Sequence, residues 1–151
     1  MKNLFAVLCL IFVSASAFAE PVVDYLSVST RNGTINPMYG RSTTCTIRND
    51  GTVYIRITTG DIVTPYSKKV MWKGIPNDTV LQSLIVESSK GQIEVTHSIP
   101  PVGGGKTSYV SYMKGKTIAL KVTIGGTMLT INSSPVTSRL LKFIDVNCSM
   151  Y

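Results

Sequence analysis

The stretch Thr43–Thr59, TTCTIRNDGTVYIRITT, decides how the chain folds. In its first arm Cys45 and Ile47 share one face while Thr46 and Arg48 share the other. In its second arm Val53, Ile55 and Ile57 alternate with Tyr54, Arg56 and Thr58. A period of two marks a half-buried β-strand, because successive side chains leave the backbone on opposite sides. Between the arms, Asn49-Asp50-Gly51 offers residues that accept positive φ, as a tight hairpin turn requires. The pattern also fixes register, since a slip of one residue would carry Arg56 into the core.

The same signal recurs outward from this hairpin. From Thr117 to Ile124, Ile118, Leu120, Val122 and Ile124 face inward and Ala119, Lys121 and Thr123 outward. Gly125-Gly126 turns the chain, and Leu129 and Ile131 return on the inner face. A third hairpin is expected to join Val80–Glu87 to Gln92–Ile99 through Ser88-Ser89-Lys90-Gly91. Val22–Thr30, Lys69–Lys73, Ser108–Lys114 and Leu140–Cys148 complete the strands. Breakers fall between them at Asn36–Gly40, Thr64-Pro65-Tyr66, Pro76-Asn77-Asp78 and Pro100–Gly105, and no window carries a helical period. The expected fold is all-β: a single-domain antiparallel β-sandwich, with a β-barrel as the alternative. Known sandwich signatures are absent. Trp72 comes too late after Cys45 for an immunoglobulin-type core, and no Tyr stands two residues before Cys148. The wide cysteine spacing is also unlike that of chaperone–usher pilins.

The start of the chain sets its compartment. Lys2 precedes an apolar run from Leu4 to Val13, and the small-residue segment 14–19 ends in Ala17-Phe18-Ala19. This is the grammar of a secretory signal peptide spanning 1–19 and cleaved before Glu20, leaving one domain over 20–151. The run is too short to span a bilayer, which takes about 20 residues. Cys9 follows the bulky Leu8, which does not suit lipoprotein processing. The reading is therefore a secreted or periplasmic protein without a transmembrane segment. It retains Cys45 and Cys148, which in an oxidising compartment most simply pair. Two thiols and one histidine, His97, do not make a metal site, and neither metal nor cofactor is expected.

Chemistry is sparse. Gly103-Gly104-Gly105-Lys106-Thr107 ends like a phosphate-binding loop, but Pro100 occupies the place of its first glycine and a strand pattern follows, so no nucleotide is expected. His97 falls in phase with Ile93, Val95 and Ile99 as a packing residue. Glu87 and Glu94 are expected to pair with Lys90 or face water. Four glycosylation sequons begin at Asn32, Asn77, Asn132 and Asn147, with Asn32 and Asn77 the expected acceptors in a eukaryotic source.

Charge points to partners instead. Without the leader, 14 basic side chains stand against 8 acidic ones, which favours anionic partners. Arg48, Tyr54, Arg56 and Lys121 are expected on a basic outer sheet face able to hold an anionic chain or stack a sugar ring. The loop Gly103, Gly104, Gly105 and Lys106 is a second candidate surface. The expectation is a non-enzymatic protein that binds an anionic envelope polymer or glycan. An inhibitor or immunity-type protein binding another exported protein through that loop is one alternative. A structural, pilin-like or coat-like subunit is another.

Overall fold

The structure, a computed structural model, describes residues 21–34, 36–96, 103–126 and 128–149. The leader and its cleavage site, His97 and residues 98–102 lie outside the described residues.

The described strands are β1 (Asp24–Arg31), β2 (Arg41–Arg48), β3 (Thr52–Thr59), β4 (Ile62–Lys69), β5 (Ile93–Thr96), β6 (Lys106–Met113), β7 (Lys116–Ile124) and β8 (Met128–Asn132). They form one antiparallel sheet in the order β4-β3-β2-β1-β6-β7-β8-β5, and it does not close into a barrel. Two helices, α1 (Asp78–Ser88) and α2 (Thr137–Cys148), pack against it. The mostly antiparallel β-fold and the Cys45–Cys148 disulfide are as the sequence implied.

The decisive hairpin forms as read. Cys45 lies opposite Ile55 and Ile47 opposite Val53, while Gly51 takes a φ of +80° in the turn. Asp50 locks that turn by accepting from the Thr52 amide at 2.9 Å and from its hydroxyl at 2.7 Å. These bonds hold its carboxyl below the usual carboxylate range.

Two segments expected as strands are helices. Along 78–88 the buried side chains are Leu81, Leu84, Ile85 and Ser88, at i, i+3, i+4 and i+7. Along 137–148 they include Leu140, Phe143, Ile144, Asn147 and Cys148, with the same spacing. The Asn77 expected in a breaker is the N-cap of α1, its Oδ1 accepting from the Val80 amide at 3.0 Å. The strand expected at Lys69–Lys73 instead runs from Ile62 to Lys69, straight through Pro65. β4 is an edge strand, and an edge tolerates proline because one side of its ladder has no partner to receive an N–H.

Leu26, Ile47, Val53, Ile55 and Leu120 of the sheet meet Leu81, Ile85, Leu140, Phe143 and Ile144 of the helices in one core. Trp72 packs between Tyr25 and Phe143, with ring centroids 6.5 and 6.0 Å away. Asn132 clamps the layers together. Its amide nitrogen donates to the carbonyls of Ser88 at 3.0 Å and Ala119 at 3.2 Å, and its oxygen accepts from the Ser134 amide at 2.9 Å. Asn132 and Asn147 are each 3% exposed, so two of the four sequons are closed to modification in the folded chain.

Candidate functional site

Over β3, β2 and β1 the face of the sheet turned away from the helices is built mainly from polar side chains. Across β6 and β7 the same face runs on into Val110, Ala119, Val122 and Ile124, so that Val122 and Ile124, expected inward, lie on this outer face. Cross-strand partners point the same way, so the register defines its rows. Tyr54, Thr46 and Ser27 form one row. Arg56, Thr44, Ser29 and Ser108 form the next. Thr58, Ser42, Arg31 and Lys106 form the third. Ser27 and Thr46 are buried, so the hydroxyls that reach the surface of this floor are those of Thr44, Ser29, Ser108, Thr58 and Ser42, and Arg56, Arg31 and Lys106 stand on adjacent rows. Standard strand spacings put Arg56 and Arg31 about 12 Å apart.

A trough follows these rows along β2 and β3. A cavity of about 220 Å³ is lined by Asp24, Thr44, Thr46, Arg48, Tyr54 and Arg56. A second, of about 360 Å³, takes up at Ser42, Thr58, Arg31 and Arg41 and ends at Gly60 and Asp61. A third, of about 490 Å³, shares Asp24 and Arg48 and extends the trough past Tyr112 to the exposed Val22 and Val23. The eight residues of β2 set a length of about 24 Å.

The cations of the trough are not equivalent. Arg48 donates from Nε to Asp24 Oδ1 at 3.0 Å, and its guanidinium carbon lies 4.9 Å from the Tyr54 ring centre. Its charge is largely compensated, and the pair holds the Tyr54 ring in place. Arg56, Arg31 and Lys106 make no ion pair among the described residues. The hydroxyl floor is partly self-satisfied: Ser27 and Tyr112 share a hydrogen bond at 3.0 Å, and the Thr44 hydroxyl donates to that of Ser29 at 3.2 Å.

Arg48, Tyr54 and Arg56 come together as the sequence suggested, but Lys121 does not join them. A bulge between β6 and β7 leaves Leu120 as the extra residue and sets Lys121 opposite Tyr109. Tyr109 faces the helices, its hydroxyl donating to Asp145 Oδ1 of α2 at 3.0 Å. Burial and the neighbouring Asp145 carboxylate push the Tyr109 hydroxyl above its ordinary value. Lys121 therefore stands on the helix-side face of the sheet. The glycines lie elsewhere again. A Cβ added at Gly33 would collide with the carbonyl of Gly103, and the Gly105 carbonyl accepts from the Gly125 amide at 2.7 Å. Gly103, Gly104 and Gly105 thus pack closely beside the end of β1, and Lys106 leads from them into the third row of the trough.

Arg31 and the hydroxyl ladder were not singled out from sequence. The signal was present: alternation along Asp24–Arg31 puts Ser27, Ser29 and Arg31 on one face. Of the carboxylates considered for chemistry, Glu87 pairs with Lys90 at 2.6 Å, and Glu94 lies on β5. Among the described residues no group of three metal-ligating side chains gathers, and no helix is long and apolar enough to cross a membrane. No protein-family pattern matches this chain, and no curated protein matches it as a relative.

Proposed function

We propose that this is an exported, non-enzymatic binding protein whose open sheet face holds an anionic polymer or glycan. The observation that carries the reading is the convergence of Arg56, Arg31 and Lys106 on a floor of hydroxyls, with no ion pair to any of the three among the described residues. Cations spaced across adjacent rows suit repeating negative charge. Serine and threonine hydroxyls both donate and accept, so they suit the ester and hydroxyl oxygens of a sugar chain. Tyr54, packed against the Arg48 guanidinium, offers a ring for stacking. A trough about 24 Å long fits a linear ligand better than a compact ion.

The test is retention on a sulfated polysaccharide matrix. The folded protein is expected to bind at low ionic strength and to elute well below 0.5 M salt, because the screening length falls to a few ångströms there. The double variant R31Q/R56Q is expected to lose most of that retention with an unchanged melting temperature. Retention that survives both the salt and the double variant would overturn the reading.

A strand-pairing structural role rests on a different feature, edge strand β4, where Ile62, Val63 and Tyr66 are exposed. Pro65, Lys68 and Lys69 sit on the same strand, and such residues guard an edge against further pairing. The trough is the better-supported surface.

A further inference from the structure

A second cluster of positive charge lies in the helical layer, across the sheet from the trough. A cavity of about 260 Å³ is lined by Lys73, Gly74, Arg139, Lys142, Phe143 and Val146. The four α2 residues fall at i, i+3, i+4 and i+7, so one helical stripe presents two cations and then two apolar side chains. Lys73 supplies the third cation from the segment joining β4 to α1. No carboxylate lines the cavity, and none of the three cations has an ion pair among the described residues. Like charges one turn apart on a helix repel each other. A third cation placed across from them adds to that repulsion, which an anion seated among the three would relieve.

The walls of this cleft are fixed to each other. The buried Asn147 donates its amide to the carbonyls of Lys73 at 3.2 Å and Phe143 at 2.8 Å, and its oxygen accepts from the Lys73 amide at 3.2 Å. Lys73 is thereby held against α2 before any ligand arrives. At roughly 30 Å³ per water, the volume equals that of eight or nine waters, more than one phosphate group fills.

We infer that this cleft binds an anionic amphiphile. A phosphate-type head sits among Lys73, Arg139 and Lys142, and the hydrocarbon beside it lies along the exposed Val146, where the buried ring of Phe143 closes the floor of the cleft. The apolar half of the lining distinguishes this ligand from free phosphate, and the position behind the sheet makes the site independent of the trough.

Trp72, the single tryptophan of the chain, reports on the cleft because it packs edge-on against Phe143 at 6.0 Å. Titration with octyl phosphate below its micelle concentration is expected to shift Trp72 emission saturably. The Kd is expected to be at least about tenfold lower than for inorganic phosphate. R139Q/K142Q, and the single charge reversal K142E, change exposed side chains and should keep the native circular dichroism. Each is expected to weaken octyl phosphate binding by about tenfold or more, the loss typical of a charge-assisted contact. R31Q/R56Q is expected to leave it unchanged. No saturable shift, equal affinity for inorganic phosphate, an equal response to octyltrimethylammonium, or unchanged affinity in R139Q/K142Q would each overturn the assignment. So would loss of binding in R31Q/R56Q.

Discussion

The two faces of the sheet come from the same alternating strands and do opposite work. On the helix side, Leu26, Ile47, Val53 and Ile55 are almost wholly buried, and Cys45 bonds to Cys148 of α2. On the other side, the residues one step along each strand are Ser27, Thr46, Tyr54 and Arg56. The first face holds the molecule together, and the second is the one proposed to bind a ligand. Substitutions on the helix side should therefore register as stability, and substitutions on the open side as binding.

The sharpest way to break this contrast is to cut the disulfide. Removing both sulfurs in C45A/C148A frees a loop of 103 residues. The expected loss is about 2–5 kcal/mol, read by denaturant unfolding without reductant. The next effect concerns the clamp between layers. Asn132→Ala strands the Ser88 and Ala119 carbonyls and the Ser134 amide, and is expected to cost about 1–3 kcal/mol. Tyr109→Phe removes the bond to Asp145 and should cost about 1 kcal/mol at neutral pH. Because the folded Tyr109 hydroxyl titrates above its ordinary value, its contribution is fully present below about pH 10 and is lost as pH rises through the folded value. The stability gap between the wild type and Y109F should narrow as the solution becomes alkaline. Asp50 gives the opposite dependence in acid. Its lowered value contributes stability above the ordinary carboxylate range, and this is lost as pH falls through the folded value. That effect is small because the carboxyl is exposed, and Asp50→Asn should flatten the acid limb of the stability curve only slightly. Arg56→Gln, on the open face, is expected to move stability by no more than about 0.5 kcal/mol while weakening retention on the anionic matrix. A large loss of stability from Arg56→Gln would erase the distinction between the faces.

Much of this division is legible in the chain itself. The β2–β3 hairpin, the Gly125-Gly126 turn and the cysteine pair follow from period two, turn chemistry and redox logic. The helices were harder to read because Val80, Leu81, Leu84, Ile85 and Val86 form a short, β-branched apolar run. Such a run satisfies strand and helix periods about equally. What separates them is the polar punctuation: Asn77 reads as a turn residue but acts as a cap. The site was half legible for a related reason. Alternation placed Arg48, Tyr54 and Arg56 together, yet nothing local announces that one extra residue at Leu120 hands Lys121 to the opposite face. Nor does sequence show that Arg31, two strands from Arg56, becomes part of its surface.

The disulfide also sets a clock. Cys148 follows Cys45 by 103 residues, which at typical synthesis rates of about 5–20 residues per second is roughly 5–20 s. Throughout that interval the β2 thiol has emerged without its native partner, and α2, which will cover it, does not yet exist. Of the described elements, α2 is made after the sheet, and it covers the β2–β3 hairpin. Native oxidation of Cys45 thus waits for α2, and a chain interrupted before α2 would carry an unpaired thiol on an uncovered apolar sheet.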